Sequence, residues 1–270
     1  MRRVETMAGV RELLEPLRGG TIGLVPTMGA LHGGHAALFA AARAECDTVV
    51  ASVFLNPTQF DDPADLEAYP ADPDADDRLA EEAGVDIVFA PPLGEMYPEG
   101  FQTWVDVTEI SRGLEGAGRP GHFRAVATVC TKLFVVVRPD RAYFGQKDAQ
   151  QAAVVRRLVR DLALDLEIRV VATVRDADGV ALSSRNACLS QDERTAAARI
   201  PQALAAGREA HLAGANAATA ARAVLDGDGR LVPEYVQVAR FDGEPLLLAA
   251  AVRIGATRLI DNVVLEGVDS

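Results

Sequence analysis

Along the first 174 residues of this chain, short β-branched and aliphatic runs alternate with helix-forming stretches, and that rhythm restricts the fold more than any other feature. The runs at 21–25, 48–55, 85–90, 141–144 and 166–174 read as buried strands. Pro26, Pro57 and Pro91 close three of them, because a residue without an N–H cannot continue a ladder. Between the runs lie the alanine-rich stretch 36–44, an acidic helix start within 61–82, the apolar stretch 124–137 and a helix ending near 162 with arginines on its outer face. Strands joined by crossover helices predict an α/β protein with a Rossmann-like, doubly wound parallel sheet. A weakly alternating run at 103–110 is expected as a strand outside that sheet.

Beyond residue 174 the rhythm changes. Residues 191–225 are nearly all helix formers, and strand-like runs follow at 235–239, 246–254 and 258–264. A smaller α+β domain fits this pattern, with boundaries at 1–173 for the first domain and 174–270 for the second. The length supports about two domains.

The net charge of −12 argues against nucleic acid as a partner, since such binding needs a basic footprint. No apolar run approaches the roughly 20 residues needed to span a bilayer, and the charged N-terminus lacks a signal-peptide core. A soluble, cytoplasmic protein is expected. Cys46, Cys130 and Cys188 are odd in number and far apart, which suggests neither disulfides nor a zinc site. Of 27 basic residues only Lys132 and Lys147 are lysine. An ammonium kept amid arginines points to a site that needs a compact charge, although compositional chance explains it equally well.

The polar loops at strand ends carry the chemistry. After the first strand come Gly29, His32, Gly33, Gly34 and His35, then a helix. Backbone N–H groups and a helix dipole aimed from such a loop suit a phosphate, with both imidazoles close enough to reach it. The later loop Gly145, Gln146, Lys147 and Asp148 repeats the arrangement. Asn56 and Gln59 end the second strand on the side where open sheets bind ligands, although Asn-Pro also favours turns by itself. Among Asp72, Asp74, Asp76 and Asp77, one is a candidate magnesium ligand, against the plainer reading of a solvated face. No GxGxxG follows the first strand, and no GxxxxGK[ST] occurs.

The first loop resembles the HxGH element of the nucleotidyltransferases and class I aminoacyl-tRNA synthetases. PTMGALHGGH, NPTQF, RPGHFR, FGQKDAQQ and LSSRN together resemble the pantothenate synthetases, or pantoate–β-alanine ligases, in that family's order and approximate spacing. The resemblance implies an ATP-dependent ligase that joins pantoate to β-alanine through a pantoyl adenylate. It implies an ATP site of Met28, Gly29, Ala30, Leu31, His32, Gly33, Gly34, His35, Gly145, Gln146, Lys147, Asp148, Val174, Leu182, Ser183, Ser184 and Arg185. Within that site His35 donates to the phosphates with His32 beside it, and Lys147 and Arg185 neutralise their charge. Gln59 and Gln151 are implied to hold pantoate, with Asn56 and Tyr69 lining the same pocket or its lid. Magnesium accompanies ATP, with Asp76 as the candidate near it, and a homodimer is expected. The chain departs from the family pattern at Gly33, usually polar, and at Gln146, usually Glu, where weaker ordering of the loop is expected. Arg119 and His122 in the RPGHFR motif read as loop structure, with the arginine bonding backbone. Two other readings stay open: a nucleotidyltransferase that leaves the nucleotide on its product, and a nucleotide-binding module without catalysis.

Overall fold

A computed structural model describes residues 1–241 and 243–265. Contacts divide the chain into two compact units, the first being Met1–Gly145 with Gln150–Ala172 and the second Gln146–Ala149 with the described residues from Thr173 on.

The first unit is built on six parallel strands: β1 (Arg2–Val4), β2 (Ile22–Thr27), β3 (Thr48–Val53), β4 (Ile87–Phe89), β5 (Arg141–Gly145) and β6 (Glu167–Val171). Their order is β1-β4-β3-β2-β5-β6. From β2 the chain winds outward through β3 to β4, then returns to lay β5 on the other side of β2, so the winding reverses between β2 and β5. Alternation along each strand feeds two cores, because successive side chains point to opposite faces. Leu24, Val50, Phe89 and Phe144 join Phe134 and Leu158 on one face. Val25, Ala51, Val88 and Tyr143 join Phe39, Ala42 and Ala80 on the other. Both faces are covered, as a parallel sheet requires.

Three features differ from the sequence reading. Pro26 does not end β2, which runs on to Thr27. The carbonyl of Ile22 faces β5, accepting from Asp140 N, so by alternation Pro26 faces that side too. There the β2–β5 register stops at Leu24, and no ladder partner is lost. The run 103–110 forms no strand. Val105 N instead donates to Thr128 Oγ1 at 3.0 Å, on the helix His122–Val137. Trp104 stacks on Tyr97 with ring centroids 6.1 Å apart, under the guanidinium of Arg124. Finally, β1 and the helix Met7–Leu14 had no sequence counterpart, since a three-residue edge strand with two arginines shows no apolar alternation.

The second unit places the helices Gln191–Ala197, Arg199–Leu212 and Ala217–Asp226 against an antiparallel sheet of β7 (Leu231–Ala239), β8 (Leu247–Ile254) and β9 (Thr257–Val264). Central β8 is buried at every position but Arg253. Small residues let the layers approach: Ala203, Ala217 and Ala221 sit in the core, and a Cβ on Gly207 would collide with Leu248. The segment Gln146–Ala149 joins this unit by way of Asn262, which binds its backbone.

Candidate active site

β2 ends in a loop that is fastened before it becomes a helix. Gly29 and Ala30 both lie in the left-handed region, at φ of 85° and 50°. Thr27 Oγ1 accepts from Gly29 N at 3.2 Å. Asp76, buried on the helix Pro73–Glu82, accepts from Ala30 N at 3.1 Å through one oxygen and from Leu31 N at 2.6 Å through the other. Burial pushes the Asp76 carboxyl up, against the two N–H groups that favour its ionised form. The Asp76 carboxylate thus shapes the loop through both of its oxygens.

The helix starts earlier than the alanine run suggested, at Gly33, because the two histidines cap it. His32 Nδ1 accepts from Gly34 N at 3.0 Å, and His35 Nδ1 accepts from His32 N at 3.2 Å. This is a capping box with imidazoles in place of Ser and Glu. A Nδ1 that accepts is unprotonated, so each neutral ring carries its proton on Nε2. The rings lie 4.2 Å apart. Gly33 is thus the first helical residue, and the loop presents N–H groups, a helix N-terminus and two imidazoles together.

At the end of β3, Asn56 caps the short 3-10 turn Pro57–Gln59 and donates Nδ2 to Gln59 Oε1 at 2.9 Å. Both side chains are buried. The Gln59 carbonyl accepts from Arg119 Nη2 at 2.8 Å, and His122 Nδ1 lies 3.0 Å from it. A carbonyl can only accept, so Nδ1 of His122 carries a proton. Arg119 does bond backbone, as the loop reading held. Tyr69 packs edge-on against Phe60 at 5.7 Å. Gln151 is half-buried, while its neighbour Gln150 is buried and structural, accepting from Glu115 N and donating to Ile110 O and Gly113 O.

In the second unit Lys147 and Ser183 line one crevice with Ala181 and Asp261. Ser183 Oγ accepts from Arg185 N at 3.3 Å, capping the 3-10 turn Ser184–Cys188. Leu182 N bonds Val174 O, closing a hairpin from Val174 to Leu182. Gln146 Nε2 donates to Asn262 Oδ1 at 3.1 Å, a bond that an ionised glutamate could not make. Asp261, Asn262 and Arg175 escaped sequence reasoning, because partners more than 80 residues apart leave no local signal.

Among the described residues no three His, Cys, Asp or Glu side chains cluster as a metal site. Magnesium bound with a nucleotide requires only one or two carboxylates, because phosphates complete its shell.

A family model described as pantoate-beta-alanine ligase matches residues 2–264. The pantothenate synthetase of Roseiflexus sp. is 51% identical, over 98% of this chain and 100% of that protein. The crystal structure of pantothenate synthetase from Thermus thermophilus superposes with a TM-score of 0.93 at 45% identity, covering 99% of this chain and 100% of that one. The pantoate-beta-alanine ligase from Francisella tularensis, complexed with beta-gamma ATP and beta-alanine, gives 0.86 at 32% identity with both chains covered completely. A match across the whole chain, on a fold whose β2 loop ends in a paired-histidine cap, shows that this chain belongs to the pantoate–β-alanine ligase family.

Proposed function

We propose that this chain condenses pantoate with β-alanine at the expense of ATP, giving pantothenate, AMP and pyrophosphate through a pantoyl adenylate. The observation that carries the reading is the paired-imidazole helix cap at the carboxyl end of β2, beside β5, where the winding of the sheet reverses. Open α/β sheets bind ligands at such switch points.

In the first half-reaction a pantoate carboxylate oxygen attacks the α-phosphorus, and the bond to pyrophosphate breaks. The protein's work is positioning and charge stabilisation. His32 and His35 donate from Nε2, Lys147 and Arg185 supply positive charge, and Ser183 and Ser184 donate hydrogen bonds. The backbone at Met28, Gly29, Ala30, Leu31, Gly33 and Gly34 cradles the nucleotide with Gly145, Gln146, Asp148, Val174 and Leu182. Asn56, Gln59, Gln151 and Tyr69 orient pantoate, whose carboxylate neutral amides do not compete for. Asp76 would lie near a magnesium ion arriving with the nucleotide, which would lower the charge on the triphosphate, and it also holds the loop at Ala30 and Leu31. In the second half the β-alanine nitrogen attacks the acyl carbon, the anhydride bond to AMP breaks, and the nitrogen's proton goes to solvent. Excluding water from the adenylate preserves it for the amine. The second unit, residues 174–270 in the sequence reading, acts as the lid. A homodimer and a cytoplasmic location belong to the same reading, supported by family membership.

Exchange of label between pyrophosphate and ATP tests it. The expected result is exchange that requires pantoate but not β-alanine, with AMP and pantothenate appearing once the amine is added. Exchange indifferent to pantoate, or a stable nucleotidylated product formed without any amine, would overturn the assignment in favour of a nucleotidyltransferase.

A further inference from the structure

We propose that the Asp261–Asn262 step of β9 is a positioning device for the adenylation half-reaction: it fastens the Lys147 segment and the hairpin leading to Arg185 from a single strand. The proposal rests on the reading of Lys147 and Arg185 as phosphate ligands.

Asn262 is only 5% exposed, and its amide is fully engaged. Its Nδ2 donates to the carbonyls of Gln146 and Lys147, each at 2.9 Å, and its Oδ1 accepts from Gln146 Nε2. Those two carbonyls belong to the peptide planes on either side of the Lys147 Cα. Pinning both planes sets φ and ψ of Lys147, and therefore the direction in which its Cα–Cβ bond leaves the backbone.

Asp261, 4% exposed, does the same for the other cation through an intermediary. Its Oδ2 accepts from Arg175 Nη1 at 2.6 Å and its Oδ1 from Arg175 Nη2 at 2.9 Å, a planar two-pronged pair. Arg175 Nη1 also donates to Gly179 O, and Arg175 bridges Ala181 across the hairpin. Asn186 Nδ2 then donates to Ala181 O, tying down the far side of the turn that holds Arg185. Asp261 Oδ1 accepts from Asn262 N as well, which joins the two halves.

Stability alone does not explain such a network. A buried carboxylate paired with a partly exposed guanidinium contributes little net stability, and a buried amide does no better than apolar side chains of similar volume. What a fully satisfied polar network adds is a single geometry. Here that geometry sets two cation-bearing segments at one spacing.

The test is a pair of double-mutant cycles read by pantoate-dependent exchange on the full chain. Asn262→Ala is expected to lower kcat/KM for ATP between about ten- and a hundredfold, the range for a misplaced group, while KM for pantoate stays within about twofold. In a Lys147→Ala background the same change should add less than about twofold, because its effect passes through Lys147. Arg175→Lys keeps the charge but loses the two-pronged contact, so it should show the same non-additivity with Arg185→Ala and remain additive with Lys147→Ala. It also serves if Asn262→Ala fails to fold by circular dichroism. Equal losses in the presence and absence of Lys147, or a loss confined to pantoate KM, would overturn the proposal and leave the residues merely structural. A wild-type chain without pantoate-dependent exchange would instead sink the underlying functional reading. Lys147→Ala crippling exchange while Asn262→Ala and Arg175→Lys do not would refute only the positioning role.

Discussion

Asp76 shows how a carboxylate that sequence alone offers to a metal can also fasten the backbone of a loop. Its partners lie 45 and 46 residues away, so nothing in the acidic run distinguishes it from Asp72, Asp74 or Asp77. Burial lifts its carboxyl above the ordinary value, near 4 for an aspartate, so the folded chain retains a proton that the unfolded chain has already lost. Stability contributed by Asp76 therefore declines as pH rises from about 4 through the raised folded value, and is level above it. In Asp76→Asn that slope should vanish, which urea unfolding of both proteins across this window would reveal. A variant with the wild-type slope would separate the carboxyl from the effect. For catalysis, His35→Ala and Lys147→Ala should each slow adenylation by about two decades, as loss of a positioned donor does; rapid-quench measurement of adenylate formation checks this. The histidines were legible as a pair, but their capping role was not, because HxxH does not resemble the usual Ser-x-x-Glu box.

Elements were legible wherever burial imposed a pattern. The apolar runs for β2 to β6, β8 and β9 stand close to where periodicity put them, since burial leaves a strand few alternatives, whereas β7 begins at Leu231, ahead of its expected run at 235–239, and buries only that residue. The misses were elements set by something other than apolar period. Pro26 is tolerated because its edge of β2 is unpaired, β1 is an arginine-bearing edge, and the segment at 103–110 is held by Thr128 and an aromatic stack. The loop between β2 and its helix depends on one glycine in particular. A Cβ on Gly29 would sit 2.9 Å from Asp76 Oδ2, at a φ that side chains rarely adopt. Gly29→Ala should cost about 1–3 kcal/mol of stability and raise KM for ATP, which the urea midpoint and initial rates measure. Unchanged values in both would show the loop to be more pliant than its hydrogen bonds suggest.

At the scale of the molecule, the chain carries separate apolar cores in its two units. Leu248 is fully buried among Ala203, Leu204 and Ala221, so Leu248→Ala should cost about 2–5 kcal/mol. That loss should appear in hydrogen exchange as faster amides in β7, β8 and β9, with β2 and β3 keeping their protection. Uniform acceleration throughout would mean that the cores open together. The sequence shows a change of rhythm at residue 174, but nothing in it assigns Gln146–Ala149 to the second unit, because that assignment depends on Asn262 from the far end of the chain. Trp104 is the chain's sole tryptophan and stacks on Tyr97 beneath Arg124 in the first unit. Its indole emission is consequently blind to the second unit: a fluorescence melt will follow the six-stranded sheet and its covering helices, while calorimetry registers heat from everything. Should the two methods give different midpoints, the gap between them measures how independently the second unit melts.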